Sequence, residues 1–326
     1  MPIVPGSDAG EVRAAAVRLA AGELVAFPTE TVYGLGARAD DDAAVARIFA
    51  AKGRPAGHPL IVHVASVAAA DAFAAVIGDD ARRLMAAFWP GPLTLILPRR
   101  AGWGAAAAGG QSSIGLRLPA HPVAQALLQQ VAGLGVPGVA APSANRFGRV
   151  SPTTAAHVQQ EFGDDLWVLD GGACGVGIES AIVDCTREQP ALLRPGQLSR
   201  AQIEQVLGRP LAQADADSPR ASGTLESHYA PNAPVRLVDT PALARLLAGP
   251  PPLPGEVVAI YSRLAPGVGP DWLHRAMPDD AAAVAHELFA VLRGFDAAGA
   301  SAIWVEQPPP GPQWHGVRDR LQRAAA

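Results

Sequence analysis

The sequence predicts an α/β protein with a twisted mixed sheet flanked by helices, followed by a small three-layer α/β domain. Three observations carry this. Short apolar runs of strand character alternate with helix-period segments, without the strict strand–helix–strand rhythm of a fully parallel sheet. Hydrophobic residues make up 49% of the 326-residue chain and charged residues 17%, enough apolar side chains for one large packed domain or two ordinary ones. A polar stretch, GRPLAQADADSPRASG (208–223), separates a longer set of elements from a shorter one. The expected division is a domain over 1–207, a linker over 208–233 and a second domain over 234–326.

Along the first domain, residues 11–21 read as a helix with Val12, Ala15, Ala16 and Leu19 on one face. LVAF (24–27) reads as a buried strand stopped by Pro28. Residues 43–52 form a helix with Val45, Ile48 and Phe49 inward; Gly53 suits its C-terminal cap and Pro55 ends it. LIVHV (60–64) is a strand, and two Ala-rich helices come after it at 67–77 and 80–88. Strands are expected at 93–97, 114–118 and 139–142, with a helix at 122–131 between the last two. A helix at 153–162 leads to strands at 166–170, 180–184 and 191–194, then a helix at 199–207 capped by Ser199. In the second domain, strands at 235–238, 256–261 and 301–306 alternate with helices at 241–247, 280–294 and 316–325.

Net charge is -4 and no stretch is strongly basic, which argues against an extended nucleic-acid footprint but permits a local cationic pocket. Two cysteines make neither a disulfide framework nor a zinc set, and a reducing cytoplasm is the expected setting. MPIVPGSDAGEVR has no basic n-region and no apolar h-region, so no secretory leader is expected, and no apolar run reaches membrane-spanning length.

Lys52 is the only lysine; the other 25 Lys/Arg positions are arginine. In KGRPAGHPLIVHV (52–64), Gly53 lets the chain turn between Lys52 and Arg54, and Pro55 and Pro59 stiffen the loop. Two cations on a rigid loop make an anion site, Arg54 as a bidentate fork and Lys52 as a point charge. The alternative for Lys52 is a last-turn cation against the helix dipole. His63 lies inside an apolar strand, where a hydrogen-bonded core histidine is the bland reading. PTETVYGLG (28–36) presents Thr29, Glu30, Thr31 and Tyr33 on a turn. APSANRFGRVSPT (141–153) puts Ser143, Asn145 and Ser151 beyond a strand's carboxyl end, where ligands gather in open α/β sheets. Arg117 sits in an apolar strand and needs an anionic partner, a carboxylate of the protein or a ligand. The Gly-rich segment 171–177 is a weak phosphate-cradle signal, and no P-loop motif is present. No His/Cys/Asp/Glu spacing reads as a dedicated metal site. Read alone, these residues describe an enzyme or binder for an anionic ligand, with a nucleotide among the candidates.

Together PTETVYGLG, KGRPAGHPLIVHV, APSANRFGRVSPT, GIESAIVD (177–184) and LLRPGQLS (192–199) resemble the Sua5/YrdC family, whose signature pairs Lys-x-Arg with Ser-x-Asn, here Lys52, Arg54, Ser143 and Asn145. SGTLESHYAP (222–231) and the small domain after it resemble the longer, two-domain form, which implies a YrdC-like first domain and a Rossmann-like Sua5 second domain. The resemblance implies a nucleotidyltransferase making threonylcarbamoyl-AMP and pyrophosphate from L-threonine, bicarbonate and ATP, with Mg²⁺ on the ATP. The product feeds the t⁶A modification of adenosine 37 in tRNA through downstream transferase proteins. It implies Thr31, His63, Arg117, Ser180 and the Ala141 backbone around threonine. Around ATP it implies Arg54, His58, Ser143, Asn145, Ser151 and Arg194, with Tyr229 folding over as part of a lid. Lys52 and Arg54 would stabilise charge in the transition state. One departure is Ala181, where a Thr is expected, removing a hydroxyl beside Ser180. YrdC-like domains also carry a positive groove suited to double-stranded RNA, which makes weak RNA binding a further expectation. A related hydrogenase-maturation protein would need Cys-rich zinc repeats that two cysteines cannot supply. A regulatory ATP binder would release no pyrophosphate.

Overall fold

The computed structural model describes residues 3–224, 228–249, 256–264 and 272–326. Contacts divide the chain into two compact units, Met1–Phe147 with Ser151–Thr224, and Gly148–Val150 with Leu225–Ala326.

The first unit opens with β1 (Ile3–Pro5), α1 (Ala9–Ala20), β2 (Val25–Phe27), β3 (Gly34–Arg38), α2 (Asp42–Lys52) and β4 (Ile61–His63). It continues with α3 (Asp79–Phe88), β5 (Leu93–Pro98), β6 (Ser113–Arg117), α4 (Pro122–Gly133), β7 (Val139–Ala140) and α5 (Ala155–Phe162). It closes with β8 (Trp167–Asp170), β9 (Ala181–Asp184), β10 (Ala191–Arg194), α6 (Arg200–Leu207) and β11 (Ala212–Gln213). Among the described residues these make one eleven-stranded mixed sheet, ordered β1-β8-β2-β3-β7-β4-β6-β5-β9-β10-β11.

Helix ends obey the local chemistry. Asp8, Asp41 and Thr154 accept backbone N–H bonds at the starts of α1, α2 and α5, and Ser199 with Gln202 forms a capping box on α6. Alternation along the strands sorts side chains onto two faces. One face packs Val62, Leu95, Leu116, Ala181 and Val183 against Ile48, Leu84, Val158 and Ile203 from α2, α3, α5 and α6. The opposite face is covered at the β1–β7 end by α1 and α4, through Ala16, Leu19, Leu127 and Leu128. From β4 to β10 that opposite face carries a small cluster of Ile96, Ile182 and Ala221, with Ile61 and Leu193 packed against it. It is this half of the sheet that displays polar side chains.

Several features depart from the sequence reading. Residues 67–77 form only a 3₁₀ turn over Ala68–Ala72, because Ala74 bridges to Arg99 and the Ala75 N–H donates to the Pro98 carbonyl, which a helix would forbid. β1, β3 and β11 are too short or too glycine-rich to show strand periodicity, and the strand at 272–276, WLHRA, is an addition to the sequence reading. The break expected at 207 falls instead after Thr224: β11 pairs in parallel with β10, and Arg200 donates to the Leu211 and Ala212 carbonyls. Only 225–233 of the expected linker then lies beyond the first unit, and 225–227 lie outside the described residues. Gly148–Val150 group with the second unit, where the Ala230 N–H donates to the Gly148 carbonyl.

The second unit contains β12 (Val235–Val238), α7 (Thr240–Leu247), β13 (Val258–Ser262), β14 (Trp272–Ala276), α8 (Ala281–Ala297), β15 (Ala302–Glu306) and α9 (His315–Ala324). Its strands pair in parallel in the order β12-β15-β13-β14. α7 joins β12 to β13 and α8 joins β14 to β15, and α8 buries Val284, Leu288, Phe289 and Leu292.

Gly53 ends α2 in the left-handed conformation at φ 63°, and a Cβ there would meet nothing within 4 Å. Replacing it by alanine should therefore cost only the backbone preference, about 1 kcal/mol, read as a lower urea midpoint for Gly53→Ala.

Candidate functional site

Consecutive strands bring polar side chains onto the half-covered face. His63 and Arg117, the last residues of β4 and β6, are register partners on parallel strands and share a side. Thr94 of β5 and Ser180, just before β9, exchange a 2.7 Å hydrogen bond. Arg194, at the end of β10, donates to the Ser180 carbonyl through Nε (3.1 Å) and Nη2 (2.9 Å). All five are buried.

Arg117 has the anionic partner its position demands. Its Nη2 lies 2.6 Å from Glu30 Oε1, Nη1 donates to Thr31 Oγ1 at 2.8 Å, and Nε donates to the Gly91 carbonyl at 3.2 Å. Thr31 Oγ1 is also 2.8 Å from Thr29 Oγ1, and the Ala120 N–H donates to Glu30 Oε2 at 3.0 Å. The Gly-rich segment 171–177 straps this turn: the N–H groups of Val176 and Gly177 donate to the Glu30 and Thr31 carbonyls. Those two amides hold protein backbone in place of a phosphate. Burial, with Arg117 beside it, pushes His63 down to about 3, so its ring is neutral near pH 7. Its Nδ1 is buried without a hydrogen-bond partner, and its ring meets Phe27 edge-on at 6.1 Å.

The second group of residues surrounds Lys52. Its Nζ donates to the Ser143 carbonyl at 2.6 Å and to the Asn145 carbonyl. The Phe147 N–H returns a bond to the Lys52 carbonyl at 2.8 Å. Burial, and next the charge of Arg54, hold the Lys52 ammonium well below the usual lysine range. Lys52 also occupies the last turn of α2, where the helix-dipole reading puts it. Arg54 stacks over Phe147 at 5.7 Å and donates to the Pro59 carbonyl at 2.9 Å. His58 meets the same Phe147 ring edge-on at 5.4 Å, and burial followed by Arg54 lowers its basicity. Ser151 donates to Glu179, and Asn145 Nδ2 donates to the Arg146 carbonyl at 2.7 Å. Ser222 reaches both arginines: its Oγ lies 3.4 Å from Arg54 Nη2, and its carbonyl accepts from Arg194 Nη1 at 2.7 Å.

Tyr33 ties these loops together. Its N–H donates to the Pro152 carbonyl, its carbonyl accepts from Ala144, and its hydroxyl donates to the Gly172 carbonyl at 2.8 Å. Burial raises that phenol above the usual tyrosine range, so it stays a neutral donor.

Thus Thr31, His63, Arg117 and Ser180 lie on one set of neighbouring strands and turns, while Lys52, Arg54, His58, Ser143, Asn145 and Phe147 form a second cluster in the same unit. Ala141 is buried and its N–H is spent on the Ile61 carbonyl. Tyr229 belongs to the second unit, at φ 63°, stacked 5.4 Å from Phe289 with Arg320 over its ring at 5.3 Å. Ala181 turns its side chain into the helix-covered core, away from Ser180, whose hydroxyl finds Thr94 instead. A hydroxyl at 181 would therefore enter that core and lie on the face opposite Ser180. Sequence reasoning missed Thr94, Glu179 and Ser222, and gave Glu30 no role. Thr94 and Glu179 were visible as polar residues beside or inside apolar strands.

Residues 18–196 match the Sua5/YciO/YrdC family model, described as telomere recombination, and residues 198–326 match the threonylcarbamoyl-AMP synthase C-terminal domain. This chain belongs to the Sua5/YrdC family. Curated relatives in the family include threonylcarbamoyl-AMP synthases from Pyrococcus abyssi, 38% identical over 97% of this chain and 94% of that protein, and Bacillus subtilis, 41% identical over 70% and 67%. The structure of P. abyssi Sua5 complexed with L-threonine superposes with a TM-score of 0.87 at 36% identity, covering 98% of this chain and 95% of that one. A P. abyssi Sua5 variant with an adjacent His-Tyr pair replaced by alanine gives the same score.

Because His63 titrates near 6.5 when unfolded and about 3 when folded, the unfolded chain binds the extra proton between those values. Stability is full above about 6.5 and falls as pH drops toward 3, by about 1.4 kcal/mol per unit from this residue. Urea titrations at pH 7, 6 and 5 should show a shallower decline for His63→Asn than for the unsubstituted protein.

Proposed function

We propose that this chain is a threonylcarbamoyl-AMP synthase, joining L-threonine, bicarbonate and ATP into threonylcarbamoyl-AMP with release of pyrophosphate. The observation that carries the reading is the pairing, in one unit, of the Arg117–Thr31 and Ser180 side chains, gathered on neighbouring strands and turns, with the buried Lys52 and Arg54. Similarity along nearly the whole chain to a relative crystallised with L-threonine supports the first half.

Arg117 would take the threonine carboxylate. It has five N–H donors, and the protein engages only part of them. Neutral His63 and the Ser180 hydroxyl would face the rest of the amino acid, and Ala141 would line the same pocket. The threonine amine and bicarbonate form a carbamate with loss of water. A carbamate oxygen then attacks the α-phosphorus of ATP, and pyrophosphate leaves. Positioning and charge stabilisation dominate such a step, which suits Lys52 and Arg54 better than acid–base work. Ser143, Asn145, Ser151, His58 and Arg194 would surround the nucleotide, and Tyr229 would join it as part of a lid. Among the described residues no three His, Cys, Asp or Glu side chains form a metal cluster. Mg²⁺ would arrive on the ATP phosphates, as part of the substrate.

The product would serve downstream transferases that modify adenosine 37 of tRNA, in the cytoplasm. No helix among the described residues is long and apolar enough to cross a membrane. Net charge -4 leaves at most weak direct RNA binding as a secondary property.

Purified protein given ATP, threonine and bicarbonate without tRNA should release pyrophosphate only when threonine is present; threonine-independent release, or none, refutes the reading. Lys52→Ala should lower that rate by about 100-fold or more while still folding. Retained turnover would return Lys52 to a helix-capping role.

A further inference from the structure

Glu30 is the carboxylate that contacts Arg117, and its arrangement is not that of a simple structural ion pair. Oε2 is engaged by the Ala120 N–H at 3.0 Å. Oε1 lies 2.6 Å from Arg117 Nη2, yet neither atom makes an aligned hydrogen bond, and both are buried. The carboxylate oxygen is therefore in ionic contact with the guanidinium without an aligned hydrogen bond. The Glu30 side chain retains 15% exposure against 4% for Arg117, so the carboxylate is the more open member of the pair. Thr31, the next residue, puts its hydroxyl on the same guanidinium.

We propose that Glu30 is a specificity-determining residue that receives the α-ammonium of the substrate while Arg117 receives its α-carboxylate. This rests on the synthase reading above and deepens it. An amino acid carries both charges on one carbon, and Arg117 with Glu30 presents the opposite charges side by side. A zwitterion adds no net charge to that pair. A hydroxy acid without the amine would bring a second carboxylate to a guanidinium that already faces Glu30, with nothing to balance it. The site thus selects free α-amino acids, the form whose nitrogen can be carboxylated.

The test is calorimetric binding of L-threonine and of its des-amino analogue, (R)-3-hydroxybutyrate, to the full chain and to Glu30→Gln. The unsubstituted protein should prefer threonine by roughly tenfold or more, and the variant should lose most of that ratio because the hydroxy acid no longer meets a like charge. If the unsubstituted protein binds the hydroxy acid as tightly as threonine, the proposal falls without any variant. If Glu30→Gln weakens both ligands equally, Glu30 merely positions Arg117 and the proposal also falls. In either case threonine-dependent pyrophosphate release by the unsubstituted protein leaves the synthase reading standing. Failure to bind threonine at all overturns both.

Discussion

The site depends on one costly arrangement, the burial of the Lys52 ammonium. Its stem packs at the end of α2, and its charge is answered by two main-chain carbonyls, those of Ser143 and Asn145. A buried ammonium without partners is expensive, so the loop carrying those carbonyls is held where the lysine needs it. The Phe147 N–H bonded to the Lys52 carbonyl closes the clasp from the other side. Helix, cation and polar loop therefore form one unit, and Arg54 and His58 share the Phe147 ring at its edge. Arginine would not fit this role easily. Its planar fork matches paired acceptors, while an ammonium accepts carbonyls from any side.

The arginines of the two clusters are all anchored by the protein. Arg194 grips the Ser180 carbonyl, Arg117 bonds Gly91 and Thr31, and Arg54 bonds Pro59. Anchoring a guanidinium through some of its donors fixes the direction in which its charge is presented. That is preorganisation, and it suits chemistry in which little covalent work falls to the protein. The sheet makes it possible: α1 and α4 cover one end of a face, and the strands from β4 to β10 display the polar groups on the rest.

Much of this was legible in the sequence. Single letters out of keeping with their surroundings marked the site: one lysine in an arginine-rich chain, an arginine and a histidine inside apolar strands. Helix faces were read correctly where period and cap agreed, as in α1 and α2. What escaped depended on partners far apart in the chain. Thr94 and Ser180 are 86 residues apart, and Arg117 and Glu30 meet only because β6 ends beside the turn after β2. Strands of two or three residues, such as β1 and β11, are stabilised by neighbours and carry no pattern of their own. The stretch after α6 looked like a linker because its composition is polar, yet Leu211 and Ala221 anchor it to the first unit.

Position 181 shows how a motif letter and a ligand contact can part company. Its side chain is one step along the chain from Ser180 and so belongs to the opposite face, among Val183, Leu95 and Leu116. Variation there is governed by the volume of the helix-packed interior. Across relatives, residue 181 should drift in concert with its interior neighbours and independently of Ser180 and Thr94, so agreement at that letter carries no information about which amino acid is recognised.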